Sequence, residues 1–283
     1  MAVMQNRRSF LKIAGLGAIL PLINSCESKS EDSQLSQTGG KVKFKLALAS
    51  YTLREFSLEQ TLAMTNRVGL QHISLKSFHL PLDSTSENIA AVVQKIKDAD
   101  FNLYGGGVIY MKSEKDVNNA FAYAKNAGME VIIGVPDPQL LPIVDKKVKE
   151  YDIRVAIHNH GPGDEIYPLP STIYEKIKDL DKRIGICIDI GHTQRMGINP
   201  SESIVRYKDR IMDVHIKDVS ASDEGGTTVE IGRGVIDIPG FLRTLIKINY
   251  SGIVAFEFEK DKNDPLPGLA ESVGYVRGVL ASI

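Results

Sequence analysis

The sequence predicts an α/β fold, a single (β/α)8 TIM barrel, on three observations. Apolar, strand-like runs alternate with helical segments eight times across the roughly 243 residues that follow Gly40. Strands that alternate with helices form right-handed parallel βαβ units, and eight units in this length close into a barrel. Four of the six histidines stand at the C-terminal ends of those runs, the end at which such barrels carry their sites. The runner-up, a doubly wound open sheet, lacks its signature. No G-x-G-x-x-G follows the first strand, Gly105-Gly106-Gly107 has the wrong spacing, and there is no Walker A loop.

In chain order, the strands are expected at 42–50, 70–77, 102–109, 130–135, 153–159, 184–190, 211–217 and 252–258. The helices are expected at about 57–68, 86–99, 114–127, 138–150, 171–180, 200–209, 238–249 and 267–281. Val68-Gly69 and Ala127-Gly128 read as glycine-terminated helix ends, and Ser113-Glu114-Lys115-Asp116 as a capping-box-like start. In the fifth run, Arg154-Val155-Ala156-Ile157-His158-Asn159-His160, side chains alternate faces. His158 and His160 therefore point the same way, just before a Gly-Pro-Gly turn. The sixth run closes in Asp189-Ile190-Gly191-His192, the seventh in His215-Ile216-Lys217-Asp218, and the eighth carries Glu257 and Glu259 at period two. Histidines gathered at strand ends beside acids imply a shared polar site.

The segment before the barrel reads as export machinery. Asn6-Arg7-Arg8-Ser9-Phe10-Leu11-Lys12 resembles a twin-arginine signal, and Ile13 to Ile23 is too short to span a bilayer. Leu22-Ile23-Asn24-Ser25-Cys26 resembles a lipobox whose cysteine is lipidated. The expected organisation is a signal peptide over 1–25, a flexible Ser/Gln/Gly/Asp-rich tether over 26–40 and a catalytic barrel over 41–283. The protein is then exported and periplasmic or membrane-anchored, touching membrane only through that lipid. Cys187 is the other cysteine and lies mid-strand, so no disulfide is expected. Without Arg7, Arg8 and Lys12 the balance is 31 basic against 35 acidic residues, which gives no footprint for nucleic acid.

Taken together, the His-x-His-x-Gly, Asp-x-Gly-His, His-x-Lys-Asp and Glu-x-Glu motifs resemble the xylose-isomerase-like barrel superfamily of sugar isomerases and epimerases. Gly232-Arg233-Gly234-Val235-Ile236-Asp237 is similar to that superfamily's glycine-rich loop. The resemblance implies one divalent metal held by side chains from strands five to eight. It places His158 where the ketose 3-epimerases have a glutamate, and so lies closer to the inosose dehydratase branch, whose chemistry eliminates water beside a ketone.

The residues fit such chemistry on their own terms. His158, Asp189, His215 and Glu257 offer two nitrogen and two oxygen ligands, a set suited to Mn, Co, Fe or Zn rather than Ca. A bound cation stabilises charge developing beside a carbonyl, and a base must stand nearby. His160, Lys217 and Glu259 share the face and are the catalytic candidates; His160 could also replace His158 as ligand. His192, Lys76 and Arg233 are the substrate-binding candidates, the last as a clamp for a carboxylate or phosphate. His72 and His79 read as structural or surface residues, and Asp218 as a residue that orients a neighbour or caps the next loop. The expected function is metal-dependent proton transfer beside the carbonyl of a sugar, isomerase or epimerase in type, with a carbohydrate as the small-molecule partner. The alternatives are a dehydratase or hydratase of a keto-sugar or keto-polyol, a sugar-binding lipoprotein without catalysis, and an endonuclease, which would need more ligands than the sequence offers.

Overall fold

The computed structural model describes residues 41–283; the expected signal peptide, the tether and Cys26 lie outside them. The described chain runs β1 (Lys45–Ala49), α1 (Leu58–Arg67), β2 (His72–Leu75), α2 (Ser86–Asp98), β3 (Asn102–Met111), α3 (Glu114–Ala127), β4 (Val131–Pro136), α4 (Leu141–Tyr151), β5 (Arg154–His158), α5 (Pro170–Ile177), β6 (Ile184–Asp189), α6 (Ile190–Arg195), α7 (Pro200–Arg206), β7 (Ile211–Ile216), β8 (Asp218–Val219), β9 (Thr228–Val229), α8 (Ile238–Lys247), β10 (Ile253–Phe256) and α9 (Leu266–Ser282). Eight strands close a parallel ring in the order β1-β10-β7-β6-β5-β4-β3-β2. The expected (β/α)8 TIM barrel is the observed fold.

Local chemistry accounts for the element ends. Ser57 and Gln60 complete a reciprocal capping box at the start of α1, and the Ser113 hydroxyl accepts the Asp116 N–H at the start of α3. α3 stops because Gly128 turns left-handed at φ 66°, a conformation that costs glycine nothing. On α8, Ile238, Phe241, Leu242 and Leu245 fall on one face and are buried against the barrel, each contributing about 1.5–3 kcal/mol.

Two layers share the apolar residues. Most of them pack between strands and helices. The interior of the ring is narrower and smaller in side-chain volume: Ala47, Ala49, Ala156 and Ala255 line it with Tyr104, Ile133 and Cys187. One acid interrupts this apolar lining. Asp213 is fully buried inside the ring, neither of its carboxylate oxygens nor the Tyr104 hydroxyl has a hydrogen-bond partner, and burial pushes its carboxyl up to about 7.

Three departures bear on the site. β6 ends at Asp189 and the chain turns at once into α6, a helix of six residues too short to show a helical period. β10 ends at Phe256, so Glu257 and Glu259 stand just past the strand on the rim. After β7 the antiparallel pair β8–β9 rises above the C-terminal mouth. Asp218 anchors this region by accepting the N–H groups of Val219, Gly232, Gly234 and Ile236, the capping role expected for it.

Candidate active site

β5, β6, β7 and β10 are consecutive staves of the ring, and each delivers one polar group to the same point. His158 Nε2 lies 3.1 Å from His215 Nδ1, 3.6 Å from Asp189 Oδ2 and 3.9 Å from Glu257 Oε2. His215 Nδ1 is 3.1 Å from Glu257 Oε2. All four ligand-type atoms fall within 4.8 Å of one another, and all four residues are buried. Asn159, on the opposite face of the strand, accepts the Asp189 N–H through Oδ1 and locks the end of β5 to the end of β6.

The electrostatics follow from this crowding. Burial drives the His158 imidazole down to about 3 against the pull of Asp189, so it presents a neutral lone pair. Burial raises Asp189 and Glu257, yet nearby positive charge, including the Lys217 ammonium, holds both carboxyls below the usual range. The Lys217 ammonium is 2.9 Å from Asp189 Oδ2, 2.9 Å from Glu257 Oε2 and in contact with Glu259 Oε1. Burial alone would lower it; the three carboxylates outweigh burial and keep it charged.

A second chain of groups faces the cluster. His160 Nδ1 lies 3.1 Å from Asp164 Oδ2, and its Nε2 is 3.1 Å from the Tyr110 hydroxyl. Nδ1 is buried beside that carboxylate without a hydrogen bond to it, and Nε2 and the phenol share one hydrogen bond. The Lys76 ammonium donates to the Val108 carbonyl at 2.5 Å, and burial lowers its pKa. Tyr51, Lys76, Tyr110, His160 and His192 wall a cavity of 180 Å3 whose floor includes His158 and Glu257.

His192 enters from α6, where Asp189 Oδ1 accepts its N–H at 2.8 Å. Gly161, at φ 71°, brings the strand-five loop against it: a Cβ there would stand 2.8 Å from the His192 carbonyl oxygen. Nine of the ten residues singled out from the sequence therefore meet here. Arg233 does not. It pairs with Glu271 at 2.5 Å and 2.7 Å on the exposed face of α9, because its loop is held by Asp218 with the guanidinium turned away from the mouth. His79 is structural: its ring reaches Ser50, Thr61 and the Phe56 carbonyl.

The donor set fits a divalent cation. Two ligands on one tetrahedral ion with bonds of about 2.1 Å stand roughly 3.4 Å apart, close to the separations seen. Two imidazole nitrogens, His158 Nε2 and His215 Nδ1, and two carboxylate oxygens, Asp189 Oδ2 and Glu257 Oε2, turn towards one buried point, a mixed nitrogen and oxygen set that suits such an ion. Cys187 lies near enough to His158 and His215 to form a second, three-residue set, but burial pushes its thiol up to about 12, so the set with two carboxylates is the stronger one.

Residues 139–279 match the model of the xylose isomerase-like TIM barrel family. That stretch holds all four ligand-type residues of the cluster, whereas Tyr51, Lys76 and Tyr110 lie before it. The rhizopine catabolism protein MocC of Rhizobium meliloti is 28% identical over 152 residues, which cover 46% of this chain and 44% of that protein. The inosose dehydratase of Clostridium beijerinckii is 30% identical over 130 residues, covering 38% and 41%. The chain thus spans less than half the length of these curated relatives. Among solved structures, the IOLI protein with a bound zinc superposes at a TM-score of 0.69, with 18% identity over 84% of this chain and 99% of that one. An L-ribulose 3-epimerase superposes at 0.69, with 16% identity over 84% and 95%. These two likenesses concern the barrel fold alone.

Four residues near the site escaped the sequence reading. Tyr51 follows the end of β1 and Tyr110 lies at the end of β3, strands that carry no histidine or acid at those ends, so nothing in composition marked them; their position at the C-terminal rim was the available signal. Asp164 stands four residues after His160, beyond the Gly-Pro-Gly turn, where only the loop's path reveals the pairing. Arg195 belongs to the short helix that periodicity missed.

Proposed function

We propose that the protein is a carbohydrate-processing enzyme that uses a divalent metal and moves a proton at a carbon beside a carbonyl. The observation that carries this reading is the convergence of His158, Asp189, His215 and Glu257 on one buried point, with acid–base groups facing it across a sugar-sized cavity. The ion, Mn, Co, Fe or Zn, would be held by those four residues and would supply positive charge against the charge that develops beside the carbonyl. Glu259, at the rim, is the carboxylate placed to take a proton. Lys217 keeps its ammonium and serves as counter-charge and proton donor rather than as base. On the other side His160, beside the Asp164 carboxylate, takes or returns a proton through Tyr110, and Lys76 and His192 hold hydroxyl groups.

A base on one face with exchange of a proton on the other gives an isomerase or epimerase. Elimination is the second reading. The Tyr110–His160–Asp164 chain favours it, since it can protonate a departing hydroxyl, and so do the relatives named inosose dehydratase. One experiment separates them. The Mn- or Co-loaded protein is incubated with a panel of ketoses and keto-polyols in D2O and followed by NMR and ultraviolet absorbance. Deuterium entering beside the carbonyl with a new epimer supports the first reading, and an enone absorbance supports the second. No exchange with any member of the panel, in protein that holds one metal, contradicts both.

We further propose export by the twin-arginine route with Cys26 as a lipid-anchored N-terminus. Among the described residues no helix is long and apolar enough to cross a membrane. Cys26→Ser should move the protein out of the membrane fraction. Wild-type protein found only in the cytosol with an intact N-terminus would contradict the proposal.

A further inference from the structure

The cavity above the ligand cluster does not end at its walls. His192 and Glu259 line it and also line a second, larger cavity of 520 Å3, so the two chambers meet at a neck formed by these side chains. The inner chamber, at 180 Å3, is below the roughly 300 Å3 at which drug-sized sites begin; with the outer chamber the space falls inside the usual range. The outer chamber lies under the β8–β9 hairpin and is lined by Thr227, Thr228 and Val229 on one side and Arg195 on the other.

The lining limits what can bind there. Arg195 has no carboxylate partner among the described residues; one Nη donates to the Glu224 carbonyl at 2.8 Å, and its buried Nε has no partner. The neighbouring Lys260 is already neutralised by Glu230 at 2.7 Å, and Glu259 places a negative charge at the neck. Lys217, also in the lining, is taken up by Asp189, Glu257 and Glu259; with both lysines so paired, a single guanidinium, two threonine hydroxyls and an apolar valine suit a polyhydroxylated ring better than a phosphate. Building on the function proposed above, we infer that the substrate is a two-part carbohydrate: a keto-sugar ring in the inner chamber carrying a second sugar unit that occupies the outer one.

The test compares free ketohexoses with keto-disaccharides. Fructose and tagatose, and lactulose and turanose, are titrated calorimetrically into the full-length protein loaded with cobalt. A disaccharide should bind at least about tenfold more tightly than either monosaccharide, the scale of one well-buried contact site. Thr228→Trp, which fills the outer chamber, and Arg195→Ala, which removes its donor, should each bring that ratio down towards one. Equal affinities in the parent protein, or a ratio that survives both substitutions, would overturn the outer subsite and leave the inner reading standing. Metal-loaded protein that binds none of the four sugars would overturn the proposed function and the subsite with it.

Discussion

Lys217 holds its ammonium against the same two oxygens, Asp189 Oδ2 and Glu257 Oε2, that a cation would use. Its charge therefore competes with the ion. Lys217→Met should raise cobalt affinity about tenfold, or about 1.4 kcal/mol, while lowering turnover, as measured by metal titration and steady-state kinetics on one protein preparation. Unchanged affinity would mean that the lysine sits clear of the ion. His160 makes the complementary case. His160→Gln should cut turnover about 10²- to 10⁴-fold, the usual worth of a positioned acid or base, with cobalt still bound at one equivalent, whereas His158→Ala should lose the cobalt. Arg233→Ala should leave melting temperature and activity unchanged, since its guanidinium is exposed and paired with Glu271; a large loss of activity would restore the clamp expected from its glycine-rich loop. These contrasts show what the sequence made legible at this scale. Residues at period two on a strand declare their face, so His158 with His160 and Glu257 with Glu259 were readable together. Arg233 sits in a loop, where no period fixes direction, and only the Asp218 anchor shows which way it turns.

Short elements carry most of what the sequence hid. α6 exists because one carboxylate caps it: Asp189 gives Oδ1 to the His192 N–H and keeps Oδ2 for the cluster. The two duties can be separated. Asp189→Asn retains a cap but loses charge, whereas Asp189→Ala loses both and exposes about 0.5–2 kcal/mol of capping. The asparagine variant should therefore melt higher than the alanine variant with both proteins free of metal; equal melting would mean that α6 does not depend on its cap. His79 is the corresponding device on the other arc of the same rim, joining the turn after β1, through Ser50, to Thr61 of α1. Burial lowers its pKa, so the folded state keeps it neutral while the unfolded chain takes up a proton near pH 6.5. Stability from this group is therefore present above about pH 6.5 and lost as pH falls below it. Denaturant unfolding of His79→Gln should show a smaller loss between pH 7 and pH 5 than the parent protein, and an identical slope would contradict the assignment.

At the scale of the whole molecule, eight alternations of strand and helix were enough to name the barrel, because closure of parallel units depends on count and order rather than on any one residue. What fills the ring was less legible. Periodicity says that a residue points inward but not what it meets there, and so Asp213 passed unnoticed beneath the cluster. The small residues around it leave little slack. Ala156 lies two residues below His158 on the same face, and Ala156→Leu should cost about 1–3 kcal/mol by overpacking and weaken cobalt binding as well; a fully tolerated leucine would show that the interior is looser than its lining suggests. The ring order has one more consequence. The four staves that bring ligands, β5, β6, β7 and β10, form one continuous arc, while Tyr51, Lys76 and Tyr110 come from the arc of β1, β2 and β3. Ion-holding and cavity-walling residues are thus housed in different halves of one cylinder, so that on the function proposed above, exchanging residues 41–109 for those of a related barrel, with Tyr110 kept, would hand the same chemistry a new clientele.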